Sequence, residues 1–339
     1  MEEGPVMKIL VVGDYKTGTG PANVTKEYIR RLGKRAMKLG CSSKPLRAAE
    51  LIVKIPFSSV VLCSGYSAQN ILAAKWAHLM GKKCVYLDHG SVEHEDGINL
   101  CVNEGMNRVE YRTLELCDRI YAVSHRFAEW LRQRYPEFKD KIDVQVNGVD
   151  PFKEITGKRR DTDRDERLIF SIGGGMPRKR INRICEAVEL LRREEGYKEL
   201  KLVVAGAEGA FSERIRSFDF TKDLGIVDKE EIAGLFQRAG LFIQNSCFET
   251  FGLAPMEALS HDCDILVSKE TGALELFDIK GAGLCDYIIE DCEDASEIAK
   301  KIKKSLGSKN AMRFRAAVNG ESVTWEKRTQ ELYSKLTSL

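Results

Sequence analysis

In the first 150 residues, short uninterrupted apolar runs alternate with longer segments whose apolar positions follow a helical period. The apolar runs lie at 7–13, 59–63, 83–88, 119–123 and 144–147. The helical segments between them lie at about 24–39, 68–80, 108–116 and 127–134. Strands that are apolar throughout are typical of parallel sheets covered by helices on both faces. We therefore expect a Rossmann-like, doubly wound α/β domain over residues 1–150.

The same alternation begins again after a highly charged segment at 153–167, which has no hydrophobic period and predicts an exposed connection. The next apolar runs lie at 168–172, 200–205, 241–244, 264–267 and 286–289. The next helical segments lie at 181–193, 229–238, 255–261 and 295–305. Asp228 and Glu231 form a capping-box pattern at the start of one of these helices. A second doubly wound domain is therefore predicted over 151–322.

Composition narrows the function classes without identifying one. The 339 residues carry 53 Lys and Arg against 51 Asp and Glu, and a net charge of +2 argues against a dedicated nucleic-acid-binding protein. No apolar run approaches the roughly 20 residues of a membrane-spanning helix, and the acidic first residues do not resemble a signal peptide. None of the ten cysteines forms a C-x-x-C pair, so we expect free thiols in a reducing, cytoplasmic compartment.

A glycine-rich turn follows the first apolar run. Gly13 and Gly18 have the spacing of a phosphate-binding P-loop, but the lysine that this loop requires is absent. Gly18 and Gly20 also begin a dinucleotide-binding pattern, whose third glycine is replaced by Asn23. The segment still predicts a place where the backbone can approach a ligand closely, with a plain surface loop as the alternative.

The segment 245–260, NSCFETFGLAPMEALS, contains the strongest site pattern. A strand is predicted to end just before it. Pro255 suits the first turn of the helix that follows, because the N–H that proline lacks has no partner at that place. The backbone N–H groups around Phe251, Gly252 and Leu253 are then available to an anionic group such as phosphate.

Two carboxylates accompany this predicted helix start. Glu249 precedes the helix and Glu257 lies inside it, eight positions later, so both are predicted to lie near an anion bound at the helix tip. The alternative is structural: Glu249 would cap the helix, and Glu257 would point to solvent. Spacing alone does not choose between these two interpretations.

The E-x7-E pattern of Glu249 and Glu257, followed by an alanine-rich helix, resembles the retaining family 4 glycosyltransferases. Two further landmarks agree with that family in order and spacing: the N-G-V-D sequence at 147–150, and the glycine-to-lysine segment that begins at Gly173. The resemblance implies the GT-B fold, in which two Rossmann-like, doubly wound parallel-sheet domains face a cleft. It also implies a closing helix at about 323–339 that packs back on the first domain.

The resemblance also implies roles for individual residues. Glu257 would hold the ribose hydroxyls of a sugar nucleotide, and Glu249 would contact the donor sugar and help to set up transfer. Lys179 would lie on the diphosphate and balance its charge as it departs. His89 would stand near the transferred sugar, with a turn histidine as the alternative. The glycine-rich turn after the first apolar run would approach the diphosphate from the first domain.

The phosphate-binding segment departs from the family pattern at one position. Family members have Arg directly after the first glycine of this segment, whereas here Gly174 follows Gly173. Arg178 and Arg180 are the candidates for the missing positive charge, and the sequence does not choose between them. The departure leaves open a noncatalytic homologue that only binds a nucleotide or a partner.

We expect no metal and no other cofactor. Glycosyltransferases of the other common fold hold a divalent cation through a D-x-D motif at a strand end. This chain has two such triplets, at 161–163 and 262–264, which we attribute to chance in a sequence with 51 acidic residues. Lysine, arginine and a helix N-terminus can stabilise a diphosphate in place of the metal.

The segment 26–47 carries eight Lys and Arg residues, beginning with Lys26 and ending with Arg47, and a single acidic residue. In a helix, this segment would present a strongly basic face in the first domain. A solvated face is one interpretation. The other is peripheral contact with anionic lipid at the inner face of the membrane, which suits a family with many lipid-linked acceptors.

We therefore expect a retaining, metal-independent glycosyltransferase that moves a sugar from a UDP- or GDP-sugar to a hydroxyl of a glycan, glycolipid or cell-envelope acceptor. The donor would bind mainly to the second domain and the acceptor mainly to the first. Two alternatives stay open: another GT-B enzyme, such as a sugar-nucleotide epimerase, and a noncatalytic glycosyltransferase-like subunit that supports a catalytic partner.

Overall fold

The computed structural model of the protein describes residues 7–150, 164–318 and 320–339. These residues form two compact units. Unit 1 consists of the described residues within 1–96, 102–150 and 320–339. Unit 2 consists of the described residues within 97–101 and 151–319. The acidic triplet at 161–163 and most of the predicted connection at 153–167 lie outside the described residues.

Unit 1 is built around a sheet whose central strands are buried along almost their whole length. Its strands are β1 (Ile9–Gly13), β2 (Ala36–Lys38), β3 (Val60–Ser64), β4 (Lys83–Asp88), β5 (Arg119–Ala122) and β6 (Ile142–Val144). The helices that alternate with them are α1 (Gly20–Leu32), α2 (Lys44–Lys54), α3 (Gln69–Leu79), α4 (Val92–Ile98), α5 (Glu104–Leu116) and α6 (His125–Arg134). The last helix of the chain, α13 (Trp325–Thr337), also packs in this unit.

Within the described residues of unit 1, the strands are all parallel and follow the order β2-β1-β3-β4-β5-β6. This arrangement confirms the predicted doubly wound domain. The chain passes from β1 to β2 on one side and then crosses to β3 on the other side of β1. Because the order reverses at β1, the loops at the carboxyl ends of β1 and β3 border the crevice in which such sheets bind ligands.

Unit 2 repeats this architecture with its own core. Its strands are β7 (Asp165–Ile172), β8 (Lys201–Ala205), β9 (Thr221–Asp223), β10 (Ala239–Gln244), β11 (Asp264–Ser268) and β12 (Ile288–Ile289). Its helices are α7 (Ile181–Arg192), α8 (Ser212–Arg216), α9 (Lys229–Arg238), α10 (Ala254–Ser260), α11 (Ala295–Ser305) and α12 (Asn310–Ala316). Among the helices that the structure describes in either unit, none combines the length and the apolar character needed to cross a bilayer.

The sheet of unit 2 is again parallel throughout its described strands, in the order β12-β11-β10-β7-β8-β9. On one face, Ile184 and Val188 of α7 and Ile298 and Ile302 of α11 are fully buried in the core with the strands. The strand order reverses at β7, since β8 and β9 lie on one side of it and β10 lies on the other. The loops after β7 and β10 therefore border the second crevice.

The C-terminal helix is fixed in unit 1 through aromatic and backbone contacts, among them the following. The ring of Trp325 in α13 packs edge-on against Tyr28 in α1, with 5.4 Å between the ring centroids. The N–H of Val149 donates to the carbonyl of Val323 over 2.9 Å. A Cβ atom on Gly148 would lie 2.5 Å from the Cα of Trp325, so only glycine allows this approach.

The helix predicted over about 24–39 ends earlier, so the basic segment 26–47 is not one helix. Helix α1 ends at Leu32, because Gly33 adopts φ +54° and its N–H bonds back into the last turn. The chain then forms a short 3-10 turn, β2 and the beginning of α2. The basic residues are therefore divided among four elements, and one of them, Arg31, is paired with Asp150 over 2.6 Å.

Several further boundaries differ from the predictions. The strand predicted at 144–147 is β6, which begins earlier, because a 3-10 turn at Pro136–Lys141 ends directly before it. The last residues of the charged segment 153–167 belong to β7, whose first three residues are exposed and polar. The sequence pattern did not reveal β2 and β9, of three residues each, because so few positions cannot display a period.

Candidate functional site

The loops that leave β7 and β10 contain most of the residues predicted for the site. The first loop begins at Gly173 and ends at Arg180, where α7 starts. The second begins at Asn245 and leads into α10. Because β7 and β10 are adjacent at the reversal of strand order, the two loops meet at the carboxyl edge of the sheet.

The first loop lies directly on the backbone that follows β8. The N–H groups of Gly173 and Gly174 both donate to the carbonyl of Ala205, over 2.7 and 3.0 Å, and the N–H of Gly175 donates to Ala207 over 3.1 Å. These bonds hold the turn in place before any side chain contributes. The turn is therefore a rigid base for the charged residues that follow it.

Gly174 occupies a position that excludes every side chain. Its φ is +55°, and a Cβ atom there would lie 2.1 Å from the carbonyl oxygen of Ala207 and 2.7 Å from the carbonyl carbon of Gly206. An arginine at this position would require the two turns to separate. The positive charge that the family pattern places here must therefore come from another residue.

Arg178, Lys179 and Glu249 form a charge cluster between the two loops. The Nζ of Lys179 lies 2.5 Å from Oε2 of Glu249, and Nη1 of Arg178 lies 3.4 Å from the same oxygen. Arg178 also donates to the carbonyl of Phe248 over 2.9 Å, and its own carbonyl accepts from the N–H of Cys247 over 2.9 Å. All three side chains of the cluster are only 12–15% exposed.

The charges of the cluster keep Glu249 ionised. Burial by itself would raise the pKa of this carboxyl, but the positive charges of Lys179 and Arg178 outweigh burial and lower its pKa. The hydroxyl of Ser246 also donates to the carboxylate, over 3.4 Å. Two cations therefore face one anion, and the remaining positive charge suits a ligand that carries phosphate groups.

Arg180 does not join the charge cluster. It begins α7 with φ +48°, and its guanidinium binds Glu293 and the carbonyl of Pro177. Arg183 binds the same glutamate over 2.9 Å. The structure thus separates the two arginines between which the sequence could not choose, because only Arg178 contacts the carboxylate of Glu249.

The second loop is pinned to the end of the sheet. The carbonyl of Glu249 accepts from the N–H of Gly272 over 3.1 Å, and the carbonyl of Phe251 accepts from Ala273 over 2.7 Å. Gly252 has φ +89°, and a Cβ atom there would lie 2.8 Å from the Nε2 of Gln244. The backbone around Phe251 is therefore fixed as it enters the helix.

Helix α10 begins one residue before the predicted start. Its first residue is Ala254, with Leu253 before it and Pro255 in the first turn. The first N–H groups of a helix have no partner within the helix, and binding of an anion at this helix start stays a prediction. Glu257 lies on the exposed side of α10, and among the described residues no ion pair or hydrogen bond of its carboxylate joins it to the charge cluster.

In unit 1, three polar side chains meet beside the reversal of strand order. His89 follows β4, and its Nε2 lies 3.0 Å from the Oγ of Ser64 at the end of β3. The Oγ of Ser64 lies 2.8 Å from the Oγ1 of Thr25 in α1. Burial lowers the pKa of His89 to about 4, so the imidazole is neutral at physiological pH.

The glycine-rich turn of unit 1 is a largely exposed loop after β1. Gly18 has φ +79°, and Gly20 begins α1 with open space where a side chain would be. The carboxylate of Asp14 accepts from the N–H of Lys16 over 2.8 Å, which closes the turn. Thr19 caps α1 by accepting from the N–H of Ala22. This geometry leaves room for a ligand to approach the backbone.

Sequence reasoning missed two residues that support these sites. The Oδ1 of Asn99 accepts from the backbone N–H of Arg178 over 3.1 Å, within unit 2. Its segment shows no period and lies 79 positions away, so no sequence signal was available. Ser64, by contrast, directly follows a predicted apolar strand, which is the position where parallel sheets present site residues.

The acidic triplet at 262–264 has a structural role. Asp264 accepts from the N–H groups of Lys309 and Ala311, over 3.0 and 2.9 Å, and Asp262 pairs with Arg315 over 2.5 Å. Among the residues that the structure describes, no three His, Cys, Asp or Glu side chains are arranged as metal ligands. The triplet therefore fastens α12 to the sheet of unit 2.

Two family models match the chain. The model described as "Glycosyl transferases group 1" matches residues 153–322. The model described as "Glycosyltransferase Family 4" matches residues 22–152. The first match includes all three residues of the charge cluster, and the second includes Thr25, Ser64 and His89.

Curated relatives match part of the chain at low identity. A probable sucrose-phosphate synthase of Thermosipho melanesiensis is 27% identical over 213 residues, which cover 58% of this chain and 47% of the relative. The GPI3 subunit of the phosphatidylinositol N-acetylglucosaminyltransferase of Saccharomyces cerevisiae is 26% identical over 203 residues, covering 56% and 43%. A D-inositol 3-phosphate glycosyltransferase of Nocardia farcinica is 24% identical over 236 residues, covering 64% and 51%. The chain thus spans about half the length of the curated relatives it matches.

Solved structures resemble nearly the whole chain. Anabaena HepE in complex with UDP-glucose has a TM-score of 0.73 at 14% identity, covering 98% of this chain and 100% of that chain. WaaG, a glycosyltransferase involved in lipopolysaccharide biosynthesis, has a TM-score of 0.68 at 13% identity, with coverage of 98% and 100%. At such identities the likeness shows the fold alone, and that fold is the predicted GT-B fold of two α/β domains.

We predict that Gly174→Ala destabilises unit 2 more than Gly225→Ala. Both glycines have a positive φ, of +55° and +65°, but a Cβ atom at Gly225 meets no atom within 4 Å. Gly225→Ala is the control, and its loss of stability measures the strain of the left-handed backbone alone, about 1–2 kcal/mol. Gly174→Ala adds the cost of overpacking, about 1–3 kcal/mol. Thermal unfolding of both variants measures the difference, and equal midpoints would contradict the close approach of the two turns.

Proposed function

Because the chain belongs to the glycosyl transferases group 1, whose model matches half of its residues, we propose that it transfers a sugar from a nucleotide diphosphate sugar to a hydroxyl acceptor. The transfer retains the anomeric configuration. The bond between the anomeric carbon and the diphosphate breaks, and the acceptor oxygen bonds to that carbon. The departing diphosphate takes the proton of the acceptor hydroxyl. The charge cluster in unit 2 is the observation that carries this proposal.

The charge cluster is suited to stabilising the leaving group. Negative charge on the diphosphate grows as the glycosidic bond breaks, so cations held beside it act more strongly on the transition state than on the intact donor. Lys179 and Arg178 supply these cations, and Glu249 orients them and contacts the donor sugar. The fixed backbone on which they stand reduces the reorganisation needed during the reaction.

In this proposal, Arg178 replaces the arginine that the family pattern places at position 174. The contact between Arg178 and Glu249 supports this assignment, and the pairing of Arg180 with Glu293 argues against the other candidate. With the missing cation restored, the main argument for a noncatalytic subunit is weaker. The same cations take the role of a divalent metal at the diphosphate, so the proposed reaction is independent of metal.

The remaining residues complete the donor site. Glu257, exposed on α10, binds the ribose hydroxyls, and the N–H groups around Phe251, Gly252 and Leu253 approach the phosphates. The turn at Gly173 adds further backbone at the donor phosphates, and we propose the loop with Gly18 and Gly20 as an additional donor-binding segment. His89 contacts the transferred sugar. The structure of HepE with UDP-glucose supports a nucleotide-sugar donor.

The acceptor in this proposal is a glycolipid or a cell-envelope glycan. Two of the matched proteins carry such activities in their names: a phosphatidylinositol N-acetylglucosaminyltransferase subunit, and WaaG of lipopolysaccharide biosynthesis. The match to a sucrose-phosphate synthase supports a soluble acceptor instead. We favour the lipid-linked class because of a surface of unit 1 that combines exposed apolar and basic residues.

This surface lies on α2, on the turn after it and at the end of α3, and we name it the α2–α3 surface. Large apolar side chains are exposed along it: Leu46, Ile52, Val53, Phe57, Leu79 and Met80. The Nε1 of Trp76 donates to the carbonyl of Ile52 over 3.1 Å, which ties α3 to α2. Residues 34–83 include nine Lys and Arg and one acidic residue, so the surroundings favour an anionic lipid surface. The α2–α3 surface replaces the segment 26–47 as the proposed membrane contact.

The proposed reaction is tested by incubating the protein with UDP- and GDP-sugars in the presence of excess EDTA. We expect release of the nucleoside diphosphate from one of these donors, with or without an acceptor, and no loss of rate on chelation. NMR of a transferred product should show the anomeric configuration of the donor. Loss of activity on chelation, restored by manganese or magnesium, would contradict metal independence, and an inverted product would contradict retention.

The assignment of the two arginines is tested with a matched pair of variants. Arg178→Ala, like Lys179→Ala, removes a cation from the leaving group, and we expect kcat to fall by about 10²–10³. Arg180→Ala removes the pairing with Glu293 and the hydrogen bond to the carbonyl of Pro177 but no contact with Glu249, so its kcat should stay within about twofold of the wild type. Circular dichroism verifies that each variant is folded. A large loss in Arg180→Ala with normal activity in Arg178→Ala would reverse the assignment.

The membrane proposal is tested by sedimentation with vesicles. We expect the protein to bind vesicles of phosphatidylcholine with phosphatidylglycerol and to bind pure phosphatidylcholine much less. Val53→Asp combined with Phe57→Asp should abolish binding, because both side chains are largely exposed apolar groups of the α2–α3 surface. Ile226→Asp in unit 2, at a residue that is 82% exposed, is the control and should bind normally. Equal binding by all variants would remove this surface from the proposal.

A further inference from the structure

A linear series of hydrogen bonds in unit 1 connects α1 to His89. The Oγ1 of Thr25 lies 2.9 Å from the carbonyl of Pro21 and 2.8 Å from the Oγ of Ser64. The Oγ of Ser64 in turn lies 3.0 Å from the Nε2 of His89. The three side chains come from α1, from the end of β3 and from the loop after β4. Each contact has hydrogen-bond length, so hydrogen atoms must be assigned to all three.

The carbonyl at one end determines the direction of the series. A carbonyl only accepts, so the single hydroxyl hydrogen of Thr25 is directed to Pro21. Thr25 must then accept from Ser64, whose own single hydrogen is thereby used. The oxygen of Ser64 can therefore only accept from His89, which requires a hydrogen on Nε2.

The opposite direction leaves one contact without a hydrogen. If Thr25 donated to Ser64 and Ser64 donated to Nε2, the contact between Thr25 and Pro21 would join two acceptors. Only the first arrangement gives every contact its hydrogen. A buried polar group without its hydrogen bond is costly, so the arrangement with three bonds is favoured.

We propose that Ser64, held by Thr25, is a positioning residue that keeps His89 in the tautomer protonated on Nε2. In that tautomer Nδ1 carries the lone pair and is a hydrogen-bond acceptor. A sugar hydroxyl is a donor to such an atom, whereas a phosphate oxygen is not. This last step rests on the proposed function. It assigns His89 to a hydroxyl of the transferred sugar rather than to the diphosphate.

The packing around the series supports a fixed ring. Gly65 has φ +77°, and a Cβ atom there would lie 3.2 Å from the Cδ2 of His89. Gly13 lets β1 approach Ser64 and Thr25 closely. A Cβ atom at Gly13 would lie 2.6 Å from the carbonyl oxygen of Ser64 and 3.3 Å from the Cγ2 of Thr25. The lowered pKa of His89 agrees with a neutral imidazole, which has a single N–H.

The tautomer is measured directly by NMR of protein labelled with ¹⁵N-histidine at neutral pH. Long-range correlations between ring carbons and nitrogens distinguish the two neutral tautomers. The chain has five histidines, so a His89→Gln sample identifies the signals of interest. We expect protonated Nε2 and unprotonated Nδ1 in the wild type. The Nδ1–H tautomer or an imidazolium would overturn the proposal, whether or not the protein transfers sugar.

Variants then test the role of the two hydroxyls. Ser64→Ala removes the partner of His89, and Thr25→Val removes the group that directs Ser64, so both should give a mixture of tautomers. Thr25→Ser keeps the hydroxyl and should retain the wild-type spectrum. Ser58→Ala is the control, because Ser58 is also a buried hydroxyl of unit 1 that donates to a carbonyl. An unchanged spectrum in both Ser64→Ala and Thr25→Val would overturn the positioning role.

Kinetics of the same variants connect the tautomer with transfer. We expect kcat/KM to fall about tenfold in Ser64→Ala and Thr25→Val, and to stay at the wild-type value in Thr25→Ser and Ser58→Ala. Thermal unfolding identifies any variant whose loss comes from instability. Normal kcat/KM with a mixed tautomer would overturn the assignment of Nδ1 to the sugar and leave the proposed transfer itself intact. A wild type without transferase activity would refute the proposed function, while the NMR result would still decide the tautomer.

Discussion

The close approach of two backbone turns in unit 2 is the constraint on which the candidate site depends. The turn after β7 lies so near the turn after β8 that no side chain fits at Gly174. A cation therefore cannot come from this position. In the proposed site it comes instead from Arg178, four residues later, whose carbonyl accepts from the N–H of Cys247 in the second loop.

The charge cluster shows how a partly buried site can hold two cations without a ligand. Glu249 lies within 2.5 Å of Lys179 and 3.4 Å of Arg178, so the carboxylate offsets the repulsion between them. The same pairing fixes their positions before a ligand arrives, which is the condition for strong electrostatic stabilisation of a developing charge. The positive charge that stabilises a phosphate group is therefore preorganised.

The two units share one sheet topology but carry different kinds of side chain at the corresponding edge of the sheet. In each, the polar residues lie where the order of parallel strands reverses. Unit 2 places ionised side chains there, which suit phosphate. Unit 1 places two hydroxyls and a neutral imidazole there, which suit the hydroxyl groups of an uncharged sugar. The side chains at the two edges therefore favour different ligand groups: ionised phosphate in unit 2 and neutral hydroxyl groups in unit 1.

The fold class of both units follows from the sequence alone, because buried parallel strands require continuous apolar runs. The bounds of β4, α9 and α11 were predicted to the residue. The sequence also placed Lys179 and Glu249 in loops after such strands. It could not choose between Arg178 and Arg180, which differ by two positions in one turn. The different contacts of these two arginines depend on the left-handed backbone at Arg180 and on Glu293, 113 positions away. Likewise, Thr25 and Ser64 are 39 positions apart, and the strand order brings them into contact. Contacts between residues so distant in sequence leave no local pattern, so the tertiary structure alone decided them.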